Sequence, residues 1–265
     1  MSILVSGSLY AGSIFDPPLQ TSISKNILIK KYGRENYDKI RYHIILGDAN
    51  FTWPNNNRYE KSKCEMLAHR PFPILCVMGN EDPILGMSGR REIDIGIGET
   101  VYHLRDAPFI AYLKRGKVYT IDGYKFLVLG GARSLDKKKR ERNKTWWKEE
   151  YWSEEEKSEI FKLLETDNRF DLVVSHTGPH KVNYLRFMDM GDIYFHDEVA
   201  FLNDQIDEKI QFQEWFCSHW MFHDEFHCDP DTNKKYQYLF ETVRIIDRTA
   251  DGAIKAFRGN ELDKK

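Results

Sequence analysis

The sequence predicts a layered α/β fold, and three observations carry that prediction: short unbroken apolar runs, helical stretches between them, and polar loops at the end of each run. Ile3–Val5 leads into Ser6-Gly7-Ser8, Tyr42–Leu46 into Gly47-Asp48-Ala49-Asn50, and Ile74–Met78 into Gly79-Asn80-Glu81-Asp82. Phe126–Leu129 leads into Gly130-Gly131-Ala132-Arg133, and Leu172–Val174 into Ser175-His176-Thr177-Gly178-Pro179. Runs of this kind do not alternate between polar and apolar residues, so they predict strands covered on both faces. In such sheets the loops beyond the strand C-termini build the site.

Helices are predicted within residues 22–40 and 58–70 and over Ser153–Leu164. The last of these opens with Ser153 and carries Glu156 three residues on, the spacing of a capping box. Residues from Val243 to Phe257 read as two terminal strands around the turn signal Ala250-Asp251-Gly252. No internal repeat or low-complexity linker interrupts the chain. The short charged run Asp136–Lys144 reads equally as a solvated loop or as the border of a site.

The chain has 265 residues, 41% hydrophobic and 30% charged, which suffices for one domain spanning 1–265 with a sizeable core. A net charge of -2 supplies neither the basic field of a general nucleic-acid binder nor the acidic excess of a disordered chain. Cys64, Cys76, Cys217 and Cys228 form no CxxC pair and no zinc-ribbon spacing, so reduced and mostly packed thiols are expected. The first residues show neither a basic region nor a long apolar one, and no apolar run reaches the ~18 residues of a membrane span. A cytoplasmic location away from membranes is the expectation.

Three strand-end loops carry metal-type ligands, Asp48, Asn80 and His176, and His219 follows a further apolar run at Trp215–Cys217. One Asp, one Asn and two His drawn from separate loops suit a divalent ion such as Mn, Fe or Zn. Taken singly, a Gly-Asp after a strand is usually a turn, and a lone His is usually a satisfied buried histidine. Four of them in order on successive strand ends point to a metal.

These loops resemble those of the calcineurin-like metallophosphoesterases, whose pattern runs GDxH, GDxx, GNHE, a later strand-end His, and GHxH. Here the corresponding stretches are Gly7–Tyr10 (GSLY), Gly47–Asn50 (GDAN), Gly79–Asp82 (GNED), Ser175–Pro179 (SHTGP) and Ser218–Met221 (SHWM). The middle of the chain is similar to a bacterial and phage branch of that family, through Gly130–Lys137 (GGARSLDK) and the pair Trp146-Trp147. The resemblance runs from about residue 3 to about residue 247. It implies a four-layer sandwich of two mixed β-sheets flanked by helices.

The resemblance also implies which functions are altered. In the family the first metal is held by the Asp and His of the first motif, the bridging Asp, and the last His of GHxH. Ser8, Tyr10 and Met221 stand at three of those places, and only the bridging Asp48 remains. Hydroxyl, phenol and thioether are poor ligands for such an ion at neutral pH, so the first metal position is expected to be lost. His223, two residues past Met221, is a possible replacement ligand. The second-metal ligands map onto Asp48, Asn80, His176 and His219, all present, so one divalent ion is expected. The family's catalytic His, which contacts the phosphate and protonates the leaving group, is Glu81 here.

For ligand contact the branch signature offers Lys114, Arg115, Arg133, Lys137 and Arg140 with Trp146 and Trp147 nearby. Arg133 and Arg140 are the favoured phosphate-binding residues, and Lys138 and Lys139 read as solvated. Trp215–His227, rich in aromatics and histidine, is a weaker candidate for an additional metal site. Three functions remain open. The first is a degenerate phosphoesterase that keeps a one-metal pocket for a phosphorylated small molecule or nucleotide. The second is an active phosphoesterase rebuilt around Glu81 or His223. The third is a protein-interaction module with a vestigial pocket.

Overall fold

The computed structural model describes residues 2–8, 24–49, 68–87, 89–104, 107–187, 196–220, 225–229, 232–240, 242–249 and 253–257. In chain order the strands are β1 (Ser2–Ser6), β2 (Ile40–Ile45), β3 (Ile74–Cys76), β4 (Arg90–Ile93), β5 (Val101–Leu104), β6 (Ala107–Tyr112) and β7 (Lys117–Ile121). They continue with β8 (Tyr124–Leu129), β9 (Leu172–Ser175), β10 (Glu214–Cys217), β11 (Glu225–Cys228), β12 (Lys235–Tyr238), β13 (Val243–Arg248) and β14 (Ile254–Phe257). The described helices are α1 (Lys25–Tyr32), α2 (Arg34–Asp38), α3 (Glu154–Thr166), α4 (His180–Phe187) and α5 (Glu198–Asp207).

The strands form two mixed sheets, one of eight strands in the order β14-β13-β1-β2-β3-β6-β5-β4 and one of six in the order β11-β12-β10-β9-β8-β7. The centre of each is parallel: β1, β2, β3 and β6 in the first, and β8, β9, β10 and β12 in the second.

The unbroken apolar runs explain the layering. Successive side chains of a strand point to opposite faces, and both faces here are buried. Ile3, Val5, Ile44, Leu46, Leu75 and Val77 of the larger sheet meet Phe126, Val128, Leu172, Val174 and Phe216 of the smaller one in a core between the sheets. The alternate residues Leu4, Ile45, Ile74 and Cys76 face Leu28 and Tyr32 of α1 and Tyr37 of α2. On the far side Leu127, Val173 and Trp215 face Ile160 and Leu164 of α3, Val182 of α4, and Val199, Leu202 and Ile206 of α5. Three cores separate four layers, helix–sheet–sheet–helix, as expected from the sequence.

The helical stretch within 22–40 is two helices rather than one. Ser24 caps α1 by accepting from the Ile27 amide, and the chain then breaks at Gly33, which has a φ of 80°. That left-handed turn is cheap only for glycine, and it closes the helix with the Gly33 amide on the Ile29 carbonyl. Of the helix predicted within 58–70, residues 58–67 lie outside the described residues. The α3 capping box is present as predicted: the Ser153 hydroxyl accepts from the Glu156 amide, and the Glu156 carboxylate accepts from the Ser153 amide. The two terminal strands read from the sequence are β13 and β14, and they pair antiparallel. Among the described residues no helix is long and apolar enough to cross a membrane.

Ser153→Ala removes one half of that box, and is expected to destabilise the protein by about 1 kcal/mol. For a chain of this size the loss is roughly 2–4 °C in melting temperature, measurable by calorimetry.

Candidate metal centre

Every retained ligand candidate sits just past the C-terminal end of a parallel strand. Asp48 follows β2, Asn80 follows β3, His176 follows β9 and His219 follows β10. The two sheets bring these loops together along one edge of the shared core. The His176 Nδ1–H donates to the Leu46 carbonyl at 2.7 Å, crossing from the smaller sheet to the larger. Nearby, the Gly131 amide donates to the Met78 carbonyl at 2.7 Å, and the Ser8 amide to Ser218 Oγ at 2.8 Å.

Two glycines make this approach possible. A Cβ on Gly79 would lie 2.0 Å from Asp48 Oδ1, and one on Gly47 would lie 2.3 Å from His176 Nδ1. Asp48 and His219 themselves adopt positive φ, 48° and 59°. Such backbone strain collects at functional sites and is held there by the surrounding structure.

Asp48, His176 and His219 each offer a ligand atom, and these atoms lie within 4.8 Å of one another. His176 Nε2 lies 3.0 Å from Asn80 Oδ1 and 3.2 Å from Asp48 Oδ2. The Asn80 amide is oriented from behind: its NH₂ donates to Ser134 Oγ at 3.0 Å, and that hydroxyl donates to Glu150 Oε2 at 2.6 Å. The carbonyl oxygen of Asn80 is thereby turned towards the histidine, as a metal ligand requires. Ser134 and Glu150 were not singled out in the sequence. Ser134 lies inside the Gly130–Lys137 block, but nothing in its spacing signals a partner at position 80.

Three observations make these residues a fit for a divalent cation. His219 Nε2 is buried without a hydrogen-bond partner, which a native interior tolerates badly unless the atom has another use. One carboxylate, one amide oxygen and two imidazoles form a donor set suited to Mn, Fe or Zn. Finally, the site holds three buried acids, Asp48, Glu81 and Asp82, with Arg140 as the guanidinium paired to one of them.

No protein-family model matches the chain, and no curated protein matches it. Among solved structures, one match is a provisionally assigned 5′-nucleotidase from Staphylococcus aureus, solved at 2.05 Å in complex with alpha-ketoglutarate. Identity is 10% and the TM-score 0.38, with 97% of this chain and 52% of that one covered. This chain thus spans about half the length of that protein.

The electrostatics follow from burial and crowding. Burial alone would lower the pKa of His176, but the adjacent Asp48 charge and their hydrogen bond outweigh it and hold the imidazole at about 8. In return, and against its own burial, Asp48 is held below the usual carboxylate range by His176. Burial, helped by the His176 charge, pushes His219 down to about 3. His219 is therefore neutral and its Nε2 lone pair is available. Burial and the Asp48 charge push Asp82 up to about 6. The same two causes push Glu81 up to about 7 against the pull of Arg140.

Glu81 lies beside this cluster: its amide donates to Asp48 Oδ1 at 2.9 Å, and its carboxylate pairs with Arg140 Nη2 at 2.5 Å. Arg140 is further held by Asp136, which accepts from Nε at 2.5 Å, and by the Thr145 carbonyl, 3.2 Å from Nη1. Of the remaining basic candidates, Arg133 donates from Nη1 to the His196 carbonyl. Arg115 is a packing residue: it is buried, forks onto both oxygens of Glu156, and donates to the carbonyls of Glu149 and Tyr151. Lys114 pairs with Glu92. Lys137 lies over the Trp146 and Tyr151 rings, 4.1 and 4.8 Å from their centroids. Lys138 and Lys139 are exposed, as expected, and Trp147 is buried. Ser8 is buried past the end of β1, whereas Tyr10, Met221 and His223 lie outside the described residues. The weaker metal candidate at Trp215–His227 contributes His219 to the cluster; no second group of metal-ligating residues occurs among the described residues.

Two outcomes are expected. A metal must displace the proton that His176 carries at Nε2, so affinity for Mn should rise about tenfold per pH unit below about 8 and level off above it. Calorimetric titration between pH 6 and 9 measures this. Ser134→Ala frees the Asn80 amide to turn, and should weaken metal affinity about 10–100-fold while destabilising the metal-free protein by about 1–3 kcal/mol, since Glu150 and Asn80 each lose a buried partner.

Proposed function

We propose that this chain is a calcineurin-like metallophosphoesterase with a degenerate site, which binds one divalent ion and uses it to hold a phosphorylated small molecule or nucleotide. Asp48, Asn80, His176 and His219 are the metal ligands in this reading, with Mn, Fe or Zn as the ion. Hydrolysis of phosphoesters is weak or lost, and the chain works as a single domain in the cytoplasm.

The observation that carries this reading is the state of Glu81. At the place where the resemblance puts a proton-donating histidine there is a carboxylate, and it is tied to the Arg140 guanidinium. A general acid contributes ~10²–10⁴ to a rate. Losing one of two ions also removes the shared neutralisation of charge on the attacking and leaving oxygens. Ser8 and Met221, in place of first-metal ligands, point the same way.

The ion, when bound, supplies a Lewis-acid anchor for a phosphate oxygen. The chain's own part is to orient that anchor: Ser134 and Glu150 fix the Asn80 oxygen, Leu46 fixes the His176 ring, and Gly79 admits the Asp48 carboxylate. Arg140 and Arg133 border the place where the phosphate would lie.

The test is metal content by elemental mass spectrometry after Mn loading, beside hydrolysis of aryl phosphate mono- and diesters. The expected result is about one ion per chain, lost in His176→Ala, with turnover of the wild type no greater than that of the variant. Two ions per chain with turnover abolished by His176→Ala overturns the reading in favour of a rebuilt, active site.

A further inference from the structure

The buried Glu81–Arg140 pair has a geometry that a phosphate could share. The guanidinium presents Nη2 to Glu81, Nε to Asp136 and Nη1 to the Thr145 carbonyl. Its side chain is 13% exposed and that of Glu81 6%, so the pair is largely removed from water and screened little by it. It also stands directly against the metal cluster: the Glu81 amide is bonded to Asp48 Oδ1, and the Arg140 charge acts on His219. Guanidinium N–H groups donate to carboxylate and phosphate oxygens alike, and here Nη2 is the one that Glu81 takes.

We propose that Glu81 occupies an anion seat on Arg140 that belongs to the ligand, and that the ligand is a dianionic phosphate monoester which displaces it. This rests on the one-metal reading above and names the ligand class for that site. In the ligand-free protein Glu81 covers the Nη2 edge of a guanidinium whose other donors are held by Asp136 and the Thr145 carbonyl. When a phosphate reaches the metal, one of its oxygens takes the Nη2 position and Glu81 withdraws, while Asp136 and the Thr145 carbonyl keep Arg140 in place.

Charge selects the class. A monoanionic diester would exchange one negative charge for another on Arg140 and gain nothing from the exchange. A dianion brings charge for both the metal and the guanidinium. The seat therefore discriminates terminal phosphates from phosphodiesters without any contact to the rest of the ligand.

The experiment is calorimetric titration of the Mn-loaded protein with methyl phosphate and with dimethyl phosphate. Glu81→Gln keeps the shape of the side chain but no longer competes as a charge. A seat filled by Glu81 about nine-tenths of the time lowers apparent affinity about tenfold, so this variant should bind methyl phosphate about tenfold more tightly than the wild type. Arg140→Gln should lose most of that affinity. Arg140→Lys, which keeps the charge and is the milder change should the first variant fold poorly, should still bind several-fold more weakly. Unchanged methyl phosphate affinity in Glu81→Gln, or dimethyl phosphate bound as tightly as methyl phosphate, overturns the seat while leaving the one-metal pocket standing. A Mn-loaded wild type and Glu81→Gln that both fail to bind methyl phosphate overturn the pocket reading itself, and the seat with it.

Discussion

The buried imidazole of His176 is the constraint from which the rest of the site follows. It has essentially no exposure to water, and a polar ring in that position must find partners on both nitrogens. One nitrogen reaches the Leu46 carbonyl and the other faces Asp48 and Asn80. Those three residues belong to the opposite sheet. The imidazole thus works as a rivet between the layers, and its satisfaction demands that the Gly47 and Gly79 turns come close enough to exclude any side chain of their own. Sheet packing and site assembly are one requirement.

Charge balance shows what that assembly is suited to. Asp48, Glu81 and Asp82 are crowded into a volume with little solvent, and Glu81 and Asp82 are raised towards neutrality by burial and by the charge of Asp48. The proton on His176 Nε2 supplies part of the missing positive charge in the metal-free chain. A cation between Asp48, Asn80 and the two histidines would take over that role, leaving the imidazole neutral as a ligand must be. The unpartnered His219 Nε2 is the atom that such an exchange satisfies.

The layers, and the strand-end placement of Asp48, Asn80, His176 and His219, were legible in the sequence for a local reason. Apolar runs such as Ile74–Met78 reveal burial on both faces by themselves, and Asp48 and Asn80 each follow a glycine that ends such a run. The capping box at Ser153 and Glu156 was legible because both halves lie within one turn. What was not legible depends on pairs separated along the chain. Nothing in the spacing of Glu81 and Arg140 announces an ion pair across 59 positions, nor does Ser134 announce that it steers Asn80. Arg115 illustrates the converse, since it looks like a phosphate contact in its charged neighbourhood yet is consumed by Glu156 and two carbonyls. The break at Gly33 was missed because a helical pattern continues on both sides of it.

The coupling of Glu81 to Arg140 also bears on how this site can change over generations. A histidine installed at position 81 alone would leave the guanidinium against two imidazoles, held only by Asp136 and a carbonyl. Replacing Arg140 alone would strand a carboxylate beside Asp48. Each single step is worse than either end state, because a broken buried pair costs more than the pair was worth. The two positions must therefore change together, and the exchange acts as a ratchet: a chain that carries the pair meets a less stable intermediate at either single step away from it.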